Sequence, residues 1–199
     1  MAKLPENSLT LDDATPFAIR AEHARDAVAR ETLLDACFGS NRQQRTCQRL
    51  RDGRTPAEGL SFSAVSNRRL IGTIRLWHVN AGGVPALVLG PLAVDPLYRG
   101  LGIGAALVRH AVTAARASGH GAVMLLGDAA YYGRFGFSAG KTAELTLPGQ
   151  FERDRLLALE LREGVLDGAW GMIVPTGKPV PRGKPRATTR AGKLAPQAA

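Results

Sequence analysis

The sequence predicts an α/β chain in which helices flank one mixed central sheet, and three observations carry this. The apolar run Val84–Val94 leads into a glycine-rich turn, a long alanine-rich helix and a second apolar run at Ala122–Leu126. Strand, helix and strand in that order make a parallel crossover, expected to be right-handed. Ahead of it, Ser61–Val65 and Leu70–Val79 flank Ser66-Asn67, the pattern of an antiparallel pair. Finally, 199 residues with 45% hydrophobic and 22% charged content suit one globular domain with a sizeable core and are too few for two ordinary ones.

Taken in order, Pro16–Glu22 reads as the first strand, with Phe17 and Ile19 alternating against polar neighbours. His23–Phe38 follows as a helix, with Ala24, Val28, Leu34 and Phe38 on one arc. Glu31 falls on that arc too, so either the phase is off or its carboxylate faces something polar. Gly39 stops this helix, and Asn41 can cap a second one through about Arg51. Arg42, Arg45 and Arg49 share a face of it, either as a solvated surface or as a lure for an anion. Asp52–Pro56 is turn chemistry. Val84–Val94 is apolar almost throughout, which implies burial on both faces. Gly90-Pro91 interrupts it as a bulge.

The helix from about Gly102 to Ser118 carries Ile103, Leu107, Ala111 and Ala114 on one stripe and is roughly 25 Å long, enough to span the sheet. Gly119 and Gly121 bracket its end. Asp128 caps a short helix that Gly136-Phe137 closes. Leu156–Leu161 and Trp170–Val174 supply the last strands. The layout is an N-terminal extension (1–15), one domain (16–174) and a basic tail (175–199), expected to be disordered for want of anything to bury.

The net charge of +9 is concentrated. Lys178, Arg182, Lys184, Arg186, Arg190 and Lys193 stand in a tail without acids, so the body is only mildly basic. Such a tail can supply phosphate contacts to a nucleic acid or another acidic surface, but no aromatic is interleaved for stacking, so a solvated tail is the default and nucleic acid is not an expected partner except through the tail. No run is apolar and long enough to span a membrane, and MAKLPENSLTLDD lacks a signal peptide's apolar core. Cys37 and Cys47 have no metal-ligand spacing and are expected to be reduced. These features point to the cytoplasm. No Ser-His-Asp constellation or metal cluster is legible.

The stretch that carries chemistry is Arg99-Gly100-Leu101-Gly102-Ile103-Gly104, running into Ala105. The first amides of a helix have no internal partner and sit at the positive end of its dipole. Glycines let the main chain curl close to a phosphate. The spacing is neither that of a dinucleotide fold nor that of a nucleoside triphosphate loop. Preceded by LGPLAVDPLY, it resembles the pyrophosphate-binding motif of the GNAT superfamily of acetyl-CoA-dependent acyltransferases. AAYYGRFGF at Ala129–Phe137 matches that family's tyrosine-bearing helix and Gly-Phe turn. The two motifs cover the central half of the chain, and within the family it resembles a small bacterial YhbS-like branch.

The resemblance implies a sheet splayed at the bulge of the strand ending near Val94. Backbone groups of Leu92, Ala93 and Val94 would bind the pantetheine arm as a short added strand, and Arg99 to Ala105 would hold the diphosphate. The first two helices would border the acceptor site. The chemistry is attack of an amine on the acetyl-CoA thioester. Counting back five residues from Phe137 gives Tyr132 as the group facing the leaving sulfur, with Tyr131 as packing. Many relatives place a glutamate near the splayed strands, but VPALVLGPLAV has no acid. Asp128 is therefore the first choice of base, alongside its role as an N-cap. Glu22, Glu31 and His78 are weaker candidates. Loss of catalysis, leaving an acyl-CoA-binding regulatory module, is an alternative that Tyr132 argues against. The acceptor amine is not encoded in any readable motif, and a homodimer is left open.

Overall fold

A computed structural model describes residues 17–181. The expected N-terminal extension and the tail from 182 onward, with most of its basic residues, lie outside the described residues. The strands are β1 (Ala18–Ala21), β2 (Ser61–Ser66), β3 (Arg69–Ala81), β4 (Val84–Val94), β5 (Ala122–Leu126), β6 (Leu145–Thr146), β7 (Leu156–Glu160) and β8 (Gly171–Pro175). The α-helices are α1 (Ala27–Phe38), α2 (Ile103–Ala117) and α3 (Ala129–Gly133).

The sheet runs β1-β2-β3-β4-β5-β7, antiparallel except where β4 lies parallel to β5. The 13-residue β3 outruns β2, and β8 takes over its free edge opposite Val79–Ala81. The two-residue β6, too short to leave a periodic signal, pairs with β8. β2 and β3 are joined one residue later than the sequence suggests. Asn67 and Arg68 both take positive φ, 46° and 64°, the geometry of a tight two-residue hairpin.

Alternation along β4 and β5 divides the core. Leu87, Leu89, Val123 and Leu125 face α2, whose Ile103, Leu107, Val108 and Ala111 are buried against them. Each such leucine or isoleucine is worth about 1.5–3 kcal/mol of burial. Gly72 lets α2 sit close, since a β-carbon there would lie 3.0 Å from Leu107 Cδ1. Ala86, Val88, Ala122 and Met124 face the other way, toward Leu50, Leu145, Leu147, Leu166 and Ile173. On that side α1 covers Ala93 with Leu33 and Leu34.

Four expectations need correction. The first helix opens as a 3₁₀ turn, Ala24–Asp26, and its inward arc is rotated: Leu34 and Phe38 pack inward as expected, but Ala24 and Val28 do not. Arg30, Leu33 and Leu34 are buried while Val28 is 80% exposed. The reason is Arg30, which is drawn inward by ion pairs with Glu22 and Glu31. The second helix does not form. Two 3₁₀ turns, Ser40–Gln44 and Thr46–Leu50, stand there, separated by extended Arg45. Tertiary anchors impose them: Leu50 is fully buried, Thr46 Oγ1 donates to Gln150 O at 2.6 Å, and Arg49 Nη1 donates to Pro148 O at 2.8 Å. The α2 stripe reaches Ala115, and Ala114 packs only partly buried at its edge. Finally, residues 175–181 are not free. Thr55 N donates to Lys178 O at 2.8 Å and Val180 N to Gly53 O at 2.9 Å, with Arg54 bridged to Pro179.

Candidate active site

The glycine-rich turn is set up by Asp95. Its carboxylate accepts from Leu97 N at 3.0 Å and pairs with Arg69 at 2.8 Å. Gly100 and Gly102 then adopt φ of 83° and 74°, which favours glycine. Arg99 N makes a long bond to Pro96 O at 3.4 Å. From Gly100 to Ala105 no backbone amide donates to a partner among the described residues. The next, Ala106, reaches Gly102 O at 2.9 Å. These amides border a cavity of about 370 Å³ lined by Val94, Tyr98, Arg99, Tyr131 and Arg134 together with the turn. Leu101 is not on its wall; its side chain is exposed.

The sheet opens beside this turn. β4 and β5 pair only at Leu87–Val123 and Val88–Met124. Beyond that point Gly90 and Pro91, joined by a cis peptide, bulge opposite Arg75, and Gly90 takes φ 135°. Trp77 Nε1 donates to Gly90 O at 2.6 Å, fixing the displaced carbonyl. Asp95 N donates to Ile71 O at 2.8 Å on the β3 side. By alternation, the backbone groups of Ala93 also face β3, opposite Thr73, while those of Leu92 and Val94 face the gap. Of the three residues expected to receive an added strand, two are therefore available. Val94 O already accepts a weak bond from Cys37 Sγ at 3.4 Å.

Two neighbouring tyrosines mark the two ends of that gap. Asp128 Oδ1 accepts from Tyr131 N at 2.6 Å, capping α3 as expected. The Tyr131 ring turns to the glycine-rich side, where its hydroxyl stands 2.9 Å from where Gly104 would carry a β-carbon. Arg134 lies over that ring at 4.1 Å. Tyr132 turns the other way, into a cavity of about 950 Å³ between the separating strands. Its ring packs on Gly127, where a β-carbon would come within 2.4 Å of Cε2, and against Phe137. Burial, with a smaller effect from Tyr131, pushes the Tyr132 phenol up to about 12.

Asp128 lines the larger cavity with Tyr132, and its Oδ2 has no hydrogen-bond partner among the described residues. The weaker base candidates are elsewhere. Glu22 is held by Arg30 and Arg75. Burial alone would raise the Glu31 carboxyl, but bonds and charges from Arg30 and Arg42 outweigh it and hold the group below its ordinary value. His78 packs against His120 with the rings tilted and lines neither cavity. Sequence reasoning passed over Trp77, Gly127, Arg51 and Arg134. Arg134 carried a signal, being inside the AAYYGRFGF motif, and Gly127 stands just ahead of it against Tyr132; Trp77 and Arg51 are defined by their approach to Gly90, away from them in sequence.

The arrangement has clear counterparts. The uncharacterized N-acetyltransferase YhbS of Escherichia coli K12 is 29% identical over 157 residues, 78% of this chain and 93% of that one. A crystal structure of E. coli YhbS in complex with CoA matches at a TM-score of 0.68 and 30% identity, covering 80% of this chain and 89% of that one. A Brucella melitensis GNAT family acetyltransferase in complex with acetyl-CoA matches at 0.54 and 26%, covering 77% of this chain and 99% of that one. Residues 27–137, from the start of α1 to the Gly-Phe turn, fit the sequence model of the acetyltransferase (GNAT) family. Both motifs, the opened sheet and this match place the chain in that family.

Proposed function

We propose that the protein transfers the acetyl group of acetyl-CoA to a primary amine of a small molecule or peptide, by direct attack on the thioester. The observation that carries this reading is the run of unpartnered amides from Gly100 to Ala105, continuous with the opening between β4 and β5. The amides of the turn hold the diphosphate, helped by the dipole of α2 and by Arg99 and Arg134. Leu92 and Val94 bind the pantetheine amides as an added strand. Leu92 lines the larger cavity and Val94 the smaller, so the arm crosses from one to the other and delivers the thioester beside Tyr132.

A lysine-like amine with pKa near 10.4 is only about 0.1% neutral at pH 7.4, a cost of about 4 kcal/mol that a base offsets. In the reaction the neutral nitrogen bonds to the thioester carbon. The resulting ammonium loses a proton toward Asp128, directly or through water, and the C–S bond breaks. The thiolate leaves with a hydrogen bond from Tyr132 and is finally protonated to free coenzyme A. Asp128→Asn keeps an oxygen that can cap α3 but cannot take the proton. It is expected to lower kcat about tenfold or more with little change in melting temperature. An unaltered pH–rate profile in that variant would assign the base elsewhere.

The cofactor half of the reading has a direct test. Coenzyme A at about 100 times its dissociation constant should stabilise the fold by about 2.7 kcal/mol, read as a rise in Tm. No rise at millimolar coenzyme A would remove the reading.

A further inference from the structure

The larger cavity is lined by five arginines, and most of them are accounted for within the protein. Arg42 is neutralised by Glu31 and by Asp35, the latter at 2.7 Å. Arg155 pairs with Glu152 at 3.4 Å. Arg45 is exposed and lies over the Phe38 ring at 5.0 Å, and Arg49 is exposed and bonded to Pro148 O. Arg51 is different. It is partly buried, and only its Nε has a partner, Cys47 O at 3.2 Å. It forms no ion pair among the described residues. Its Nη1 stands 3.9 Å from where Gly90 would carry a β-carbon, so the free end of the fork lies against the bulge. Burial lowers the Arg51 pKa, and Cys47 and Asp52 only partly offset this. The charge has lost water without gaining a carboxylate. The acids on the cavity wall are Asp128, which caps α3, and Glu152, which is held by Arg155.

We infer that the acceptor amine carries an oxyanion, a carboxylate or a phosphate, and that Arg51 seats it with Arg45 and Arg49 adding positive potential at the cavity mouth. Two parallel N–H donors of a guanidinium match two oxygens of either group. Arg42, although it shares the segment, is excluded by its own ion pairs. The position of Arg51 beside Gly90 puts the oxyanion close to the thioester, which suits a compact amino acid or aminoalkyl phosphate. The same charges disfavour polyamines. This inference rests on the acetyl-transfer reading above.

The test uses matched amines with the full-length protein and acetyl-CoA: amino acids against their carboxamides, and aminoalkyl phosphates against the corresponding amino alcohols. The anionic member of at least one series should have a kcat/KM higher by about tenfold or more, and the series in which this occurs identifies carboxylate or phosphate. Arg51→Gln should reduce that ratio to about threefold or less, and Arg51→Lys, which keeps charge but not the fork, should retain part of it. Neutral or dicationic amines preferred by the wild type would overturn the inference. So would an equal fall in kcat for charged and neutral amines in Arg51→Gln, which would mean that the guanidinium acts on the thioester. Calorimetric binding of the same pairs, with and without coenzyme A, reads the site apart from turnover. Anion preference without any coenzyme response would uphold the Arg51 site and remove acetyl transfer. Coenzyme binding without anion preference would do the reverse.

Discussion

Tyr132→Phe is expected to lower kcat at least tenfold, roughly the loss of one hydrogen bond to a charged group at about 1.5–3 kcal/mol, while the affinity for acetyl-CoA holds. The substitution is clean because the ring is held by its carbon atoms. It rests on Gly127 and against Phe137, and phenylalanine keeps those contacts. Only the hydroxyl is removed. With its pKa pushed up to about 12 by burial, the phenol stays protonated through the physiological range. It therefore remains a donor, and its ionisation should cause no alkaline fall in rate below about pH 11. Full proton transfer to a thiolate of pKa about 8.5 would be uphill by roughly 5 kcal/mol, so the phenol stabilises sulfur charge chiefly as a hydrogen-bond donor. Tyr131→Phe, on the other side of the gap, should leave kcat nearly unchanged. Steady-state kinetics on the pair decides the matter, and equal losses in both variants would refute the division of roles.

Gly104→Val is expected to weaken coenzyme A binding about a hundredfold, the equivalent of one or two charge-assisted hydrogen bonds. A β-carbon at this position would lie 2.9 Å from Tyr131 Oη and 3.6 Å from Val94 Cγ2. The added methyl groups would have to enter the cavity that the free amides border. Calorimetry on coenzyme A gives the affinity, and the unliganded Tm reports whether the fold survives. Valine is a better helix former than the glycine it replaces, and the atom in its way is the far end of the Tyr131 side chain, so the apo protein should lose little stability. Binding retained at full strength would mean that the diphosphate lies elsewhere.

The crossover from β4 through α2 to β5 was legible almost to the residue, because its information is local. Hydrophobic runs stop at glycines, and Val84, Val94, Ala122 and Leu126 are true strand ends. Asp128 as the cap of α3 followed from a short spacing as well, whereas the opposite orientations of Tyr131 and Tyr132 were not foreseen. What failed depended on distant partners. The segment from Ser40 to Leu50 has helical composition, yet Gln150, Pro148 and the second core cluster bend it into two turns. Nothing near Arg51 in the chain shows that it ends at a bulge some forty residues later. Nor does the composition of residues 175–181 reveal the edge at Arg54 that holds them.

The bond from Trp77 to Gly90 has an optical consequence. The chain contains two tryptophans. One is 7% exposed with its indole fastened to the hinge of the opened sheet, and the other, Trp170, is 74% exposed far along the sequence. Their emission therefore has two sources, a water-shielded fluorophore beside the cleft and a surface one within reach of soluble quenchers. Iodide can silence the second and leave the first as an intrinsic gauge of what enters between β4 and β5.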